Sequence, residues 1–397
     1  MQVEDFRGAP EVPLVVFPAD GALPPPPRLG EADRRRIGLA LDALGGLRRM
    51  LQDSTRRDDP LAALTGAVAA LRTVSAGLAP SLARPEPGIG DAAEPHDVYM
   101  GVRRGALRPG AMAAELAVIV HRAVADLALA LVGVNDMLAE TDAVAALLTR
   151  LAGGPGAPGA PPVPDGARPT PGARPAPGAP PVPGDSAGAA RAVWAPSGDG
   201  LERWVLVHHL YGVFLLHCAS FVAEATARLD DGDPDTAARA LEDATVYLRG
   251  ATAAMLHAGA VPAAYYGWVI RPTMRPPATP MHLGGSMNPE NARLRAAMAG
   301  YLERSPEPFE TLVRRQPRLA LARDGLLAAD LLDIERHVAV AAVLVGDERS
   351  LLQHERSPDN AVGILRRMRH ERAVRYCPLM RWGDRAVLGP APLEVGA

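Results

Sequence analysis

His208 and Tyr211 stand three residues apart in a run whose apolar residues repeat at helical spacing. On a helix that separation puts an imidazole and a phenol on one face, with Leu215 and Ala219 continuing the stripe. His209 projects about 100° away, because a helix turns once in ~3.6 residues. An imidazole beside a phenol on an apolar strip can move protons or hold a ligand. A core histidine satisfied by a neighbour has the same pattern, so both readings stay open. From His337 to Val345 the histidine is the only polar residue, and small side chains surround it. Such a helix lets a bulky planar group come close, and a lone imidazole can then ligate a metal centre. The alternative is a buried structural histidine on a helix that ends at Gly346.

A third element runs Tyr265-Tyr266-Gly267-Trp268-Val269-Ile270-Arg271, followed by Pro272 and Arg275. In a chain that is only 4% aromatic this is a local concentration. Tyr266 and Trp268 can wall a planar ligand, and Arg271 or Arg275 can fork onto a carboxylate. A proline-rich corner with packed tyrosines and solvated arginines is the competing reading. Other constellations carry less. No Glu-x-x-His pair of the di-metal bundle type occurs in the second half. Asp333, Glu335 and His337 follow at spacings of two, which a helix turns to different faces. Cys218 and His217 are adjacent and so do not face each other on a helix. Without lysine there is no phosphate loop of the Walker type.

Nearly every ordered segment shows helical periodicity, and alternating strand-like runs are almost absent, so the chain reads as all-α. The pattern predicts helices over Glu31–Asp53, Pro60–Leu82, Met112–Leu151, Glu202–Leu229, Asp235–Ala258, Pro289–Glu303, Arg318–Val345 and Asn360–Tyr376. Residues 1–30 read as an irregular segment, 31–152 as an N-terminal helical region and 191–397 as a second helical region carrying the histidines. Between them, 153–190 is rich in Pro, Gly and Ala, and too little of it is apolar to offset the entropy of ordering. It reads as a flexible linker between domains or as an insertion within one helical fold.

Composition narrows the function classes. The 397 residues, 48% hydrophobic and 22% charged, suit a globular protein with a large core. A net charge of −3 offers no global basic field for nucleic acid, although Arg366 to Arg375 forms a local cluster. Two distant cysteines exclude a disulfide framework and a structural zinc site. The first 27 residues lack the pattern of a secretory signal. The apolar stretch Leu116 to Ala139 carries His121, Arg122, Asp126 and Asp136, so it reads as a buried helix and no membrane partner is expected. The cytoplasm is the expected location.

Three stretches in this order resemble the tryptophan 2,3-dioxygenase superfamily of histidine-ligated haem enzymes, including the monodechloroaminopyrrolnitrin synthase-like group. Val205 to Tyr211 is similar to the distal helix, Ile270 to Met274 to the segment whose arginine binds a substrate carboxylate, and Arg336 to Gly346 to the proximal helix. The likeness covers roughly residues 200 to 346. It implies a large helical bundle with haem b between helices, His337 as iron ligand and Arg336 beside it at the cofactor. His208 and Tyr211 would face the substrate, Arg271 would clamp a carboxylate, and Tyr266 and Trp268 would line the substrate side. The implied activity is oxidation of a small aromatic, amino-acid-derived substrate with O2 or peroxide in bacterial specialised metabolism, with a homo-oligomer compatible. After the proximal helix the chain reads Asp347 to Ser357 where the family has a glycine- and threonine-rich loop. Two other readings remain: a non-enzymatic helical interaction protein docking through the arginine-rich helix, and a haem sensor or carrier.

Overall fold

Segments with a continuous apolar stripe fold as helices because only that face can leave water while the backbone pairs internally. In the computed structural model, residues 15–19, 21, 23–53, 60–81, 94–153, 199–351 and 359–381 are described. The helices are α1 (Glu31–Gln52), α2 (Pro60–Leu78), α3 (Pro95–Tyr99), α4 (Pro109–Asp126), α5 (Val134–Leu151), α6 (Asp199–Asp230) and α7 (Pro234–Ala258). A helical segment over 263–273, α8, includes a π-helical turn at Tyr266–Ile270. Then come α9 (Pro289–Arg304), α10 (Phe309–Arg315), α11 (Pro317–Leu344) and α12 (Ala361–Tyr376). The all-α expectation holds. Residues 154–190 of the Pro/Gly/Ala-rich stretch lie outside the described residues.

Two expectations need correction. Met112 to Leu151 is not one helix: it breaks after Asp126 and restarts at Val134, with Gly133 as the N-cap. Leu129 and Leu131 in the break are 61% and 74% exposed, so helical periodicity alone overran a solvent-facing turn. The segment assigned as irregular contains β1 (Val15–Pro18), which pairs in parallel with β2 (Val102–Gly105). Val15, Val16 and Phe17 are buried, and four residues are too few to announce a strand by alternation.

Helices on both sides of residues 154–198 share one hydrophobic core that runs from Val15 to Met380. At its centre α6 packs along α7, and α7 also meets α5 and α11. The contact of α7 with α5 is close because Gly250 has no side chain: a Cβ there would lie 2.3 Å from that of Ala143. Asp233 caps α7 by accepting from the Thr236 amide at 3.0 Å, and Pro234 opens the first turn. The helix α11 stops where Gly346 adopts a φ of 63° and its amide returns to the Ala341 carbonyl. The arginines of α12 are partly committed: Arg367, Arg369 and Arg372 pair with Asp359, Glu335 and Asp330.

Candidate functional site

One helical turn separates Trp204 from His208, and three more residues reach Tyr211, so α6 presents an indole, an imidazole and a phenol along one stripe. Their ring centroids are 4.4 Å apart for Trp204 and His208, and 6.2 Å for His208 and Tyr211. His337 of α11 meets Tyr211 edge-on at 6.4 Å. Tyr266 of α8 closes on Trp204 at 5.5 Å. The sequence therefore named four residues, His208, Tyr211, Tyr266 and His337, that the fold brings into one chain of ring contacts.

The two imidazoles are held alike. His208 donates from Nδ1 to the Trp204 carbonyl, and His337 donates from Nδ1 to the Asp333 carbonyl at 3.0 Å. A carbonyl can only accept, so each Nδ1 carries a hydrogen and Nε2 is the nitrogen left to take a ligand. Burial lowers the pKa of His208 to about 4, which keeps it neutral near pH 7. The neighbouring His209 points elsewhere, with its Nε2 donating to the Met100 carbonyl at 2.5 Å.

These residues suit a haem. An imidazole with a free Nε2 is the donor haem iron takes, and the His337 side chain is 31% exposed, so its ring is open to an incoming group. The buried Nε1 of Trp204 has no hydrogen-bond partner, an orphan donor that a bound oxygen atom would satisfy. Among the described residues no cluster of three or more histidine, cysteine or acidic side chains could hold a metal ion by itself.

The remaining sequence-named residues sit differently. Arg271 is 12% exposed and already engaged, donating to the Arg349 carbonyl at 2.6 Å and pairing with Glu348 at 3.2 Å. The chain after α11 thus covers the arginine with a carboxylate of its own. Trp268 is 83% exposed and makes no ring contact among the described residues, so it does not wall the cluster in this structure. Arg336 is half-buried and lies close enough to Asp136 of α5 to bear on its ionisation. Cys218 is fully buried, and burial pushes its thiol pKa up, which removes it as a nucleophile.

Two residues went unnoticed in the sequence, and a third was set aside on its spacing. Trp204 is one. His96 on α3 is another: it is 7% exposed, its Nδ1 has no hydrogen-bond partner, and the nearest carboxylate oxygen, on Asp97, is 3.9 Å away. His96 lies close enough to His208 and His209 to bear on their ionisation, and His209 bonds the carbonyl of Met100 just after α3, so α3 lies over this part of α6. Arg104, which also pairs with Glu290, holds Asp97 at 2.7 Å, and Tyr99 joins α3 to Thr273 of α8 at 2.8 Å. The Pro95-His96-Asp97 triplet was the available signal, but a five-residue helix leaves no periodicity to place it. Asp333 is the third. Two successive spacings of two put it one full turn before His337, on the same face.

Next to the site lies a buried ionic chain. His257 reaches Asp126 at 2.9 Å through Nε2 and Glu140 at 3.2 Å through Nδ1. Asp126 in turn receives Arg203, whose guanidinium also donates to the Ala260 carbonyl at 3.1 Å. The flanking carboxylates raise the His257 pKa to about 9 against the cost of burial, so its ring is a cation at neutral pH. Two cations and two carboxylates then balance in the core, and they fix α6 at the residue before Trp204.

A family model described as SfmD 3-methyl-L-tyrosine peroxygenase matches residues 17–322. The match takes in Trp204, His208, Tyr211, Tyr266 and Arg271 and ends before His337. A 3-methyl-L-tyrosine peroxygenase from Streptomyces lavendulae is 32% identical over 177 residues, 43% of this chain. That stretch spans 45% of the relative's own length. A crystal structure of reduced SfmD, soaked with sodium hydrosulfite, aligns with a TM-score of 0.48 at 23% identity, covering 82% of this chain and 97% of that one. The resemblance holds at the level of a haem-dependent oxygenase, and the family model does not single out the particular group named from the sequence. With three quarters of its residues inside that match, this chain belongs to the SfmD family of haem-dependent 3-methyl-L-tyrosine peroxygenases.

Proposed function

We propose that the protein is a haem-dependent peroxygenase that oxygenates the ring of a tyrosine-type amino acid. The observation that carries this is the meeting of His208 and His337, each with Nε2 free, on the ring of Tyr211. Family membership supplies the reaction class, in which a substrate RH and hydrogen peroxide give ROH and water. Bound haem supplies the redox chemistry of that transfer. His337 would hold the iron through Nε2, with Arg336 as the cationic neighbour at the cofactor. His208, neutral and desolvated, can accept a proton at Nε2. Trp204 can donate from Nε1 to an oxygen, and Tyr211 brings a hydroxyl to the same stripe. Arg271 can take a substrate carboxylate in exchange for that of Glu348. The buried ring of Tyr266 helps exclude water.

Catalysis is favoured over a helical interaction protein because α12 spends several of its arginines within the fold. It is favoured over a sensor or carrier because the family is one of peroxygenases. The test is to purify the protein expressed with haem supply and give it hydrogen peroxide and 3-methyl-L-tyrosine. A Soret band lost in His337→Ala, with a product heavier by one oxygen, is expected. A colourless protein, or a haem protein that makes no peroxide-dependent product from a panel of tyrosine derivatives, would overturn the proposal.

A further inference from the structure

Asp330 and Asp333 lie on α11, three residues apart and both buried, but only one of them is surrounded by cations. Asp330 takes Arg295 at 2.7 Å, Arg372 at 3.3 Å and the Tyr376 hydroxyl at 2.7 Å. Asp333 takes no arginine among the described ion pairs. Its Oδ1 accepts from the Thr252 hydroxyl of α7 at 3.1 Å, and its Oδ2 lies 3.6 Å from Nδ1 of His337. The same Nδ1 donates to the Asp333 backbone carbonyl at 3.0 Å. Thr252 shares its single hydrogen with the Leu248 carbonyl at 3.0 Å, so its position is fixed by its own helix. Two oxygens of one residue therefore bracket the back of the imidazole.

The charge of Arg295 bears on Asp333 from a distance, but no guanidinium reaches its oxygens among the described ion pairs, and a buried carboxylate so left is costly. We infer that Asp333, oriented by Thr252, is a positioning residue for His337. It keeps the hydrogen on Nδ1, turns Nε2 outward, and places negative charge behind the ring. A carboxylate behind the distant nitrogen of a ligating histidine makes the near nitrogen a stronger donor to the metal. A stronger donor favours the higher oxidation state of iron and lowers its reduction potential. This inference rests on the proposed role of His337 as haem ligand.

The experiment is resonance Raman of the ferrous iron–histidine stretch and a ferric/ferrous redox titration on haem-loaded wild type, Asp333→Asn, Thr252→Val and Thr252→Ser. In Asp333→Asn the stretch is expected at lower frequency and the midpoint potential higher. Thr252→Val shifts both in the same direction by less, and Thr252→Ser restores them. Wild-type values in Asp333→Asn overturn the inference. If that variant does not fold, wild-type values in Thr252→Val overturn it equally. His337→Ala separates the two ideas. An iron–histidine band that survives there refutes His337 as the ligand, whereas its loss with no effect at Asp333 refutes the positioning role alone.

Discussion

The ring of Tyr211 on α6 meets that of His337 on α11 edge-on, 6.4 Å between centroids, across 126 positions of chain. This contact joins two helices whose chemistry would otherwise be separate. Replacing Tyr211 with Phe keeps both ring contacts and removes one hydroxyl. The melting temperature should stay near wild type, while peroxide-dependent turnover falls roughly tenfold or more. Unchanged turnover would place the hydroxyl outside the reaction.

The orphan Nε1 of Trp204 predicts an unusual pair of effects. A buried donor without a partner costs about 1–3 kcal/mol, so Trp204→Phe gives back part of that in the ligand-free protein. Thermal melting should show a ligand-free variant at least as stable as wild type. Titration should show weaker binding of haem or of substrate. Loss of stability together with unaltered binding would mean that the indole serves packing only.

His96 also has a buried nitrogen with nothing to bond. His96→Gln is expected to fold and to lose roughly a hundredfold in turnover. A variant with the wild-type rate would leave His96 as a structural group of α3.

The ionic chain at His257 makes stability depend on pH in a definite direction. The folded pKa of about 9 stands above the usual 6.5, so folding favours the protonated ring. This contribution is complete below about pH 6.5, shrinks as the pH rises, and is gone above about 9. Urea midpoints at pH 6, 7.5 and 9.5 should fall through that window in wild type and much less in His257→Gln. Removing one member of such a buried set costs about 3–5 kcal/mol at neutral pH. A midpoint that rises with pH in this window would contradict the assigned charge.

Glu348 is 70% exposed, so its pair with Arg271 is worth at most about 1 kcal/mol. If a substrate carboxylate takes its place, Glu348→Gln should lower KM for an amino acid by up to about fivefold. Arg271→Leu should raise KM for the acid far more than for the corresponding amide. Equal changes for acid and amide would show that Arg271 serves the loop after α11 and not the substrate.

His208, Tyr211 and His337 were legible because long helices fix which side chains share a face. The same rule misplaced the joint between α4 and α5, where a periodic stretch crosses a turn. It was also applied too locally at Asp333, where steps of two hid a full turn. Trp268 looked like part of a ligand wall because it is an aromatic beside Tyr266. The π-helical turn of α8 instead leaves the Trp268 ring in solvent.

Amino-acid order by itself determined the helical class, most helix bounds and the stripe that holds an imidazole beside a phenol, since these depend on neighbours within a few residues. Tertiary structure decided that His337 reaches Tyr211, that His96 lies over α6, that Arg271 is covered by Glu348, and that Thr252 turns Asp333 toward His337. Each of these joins residues far apart in the chain, and only the packing of the helices and of the turn after α11 sets such distances.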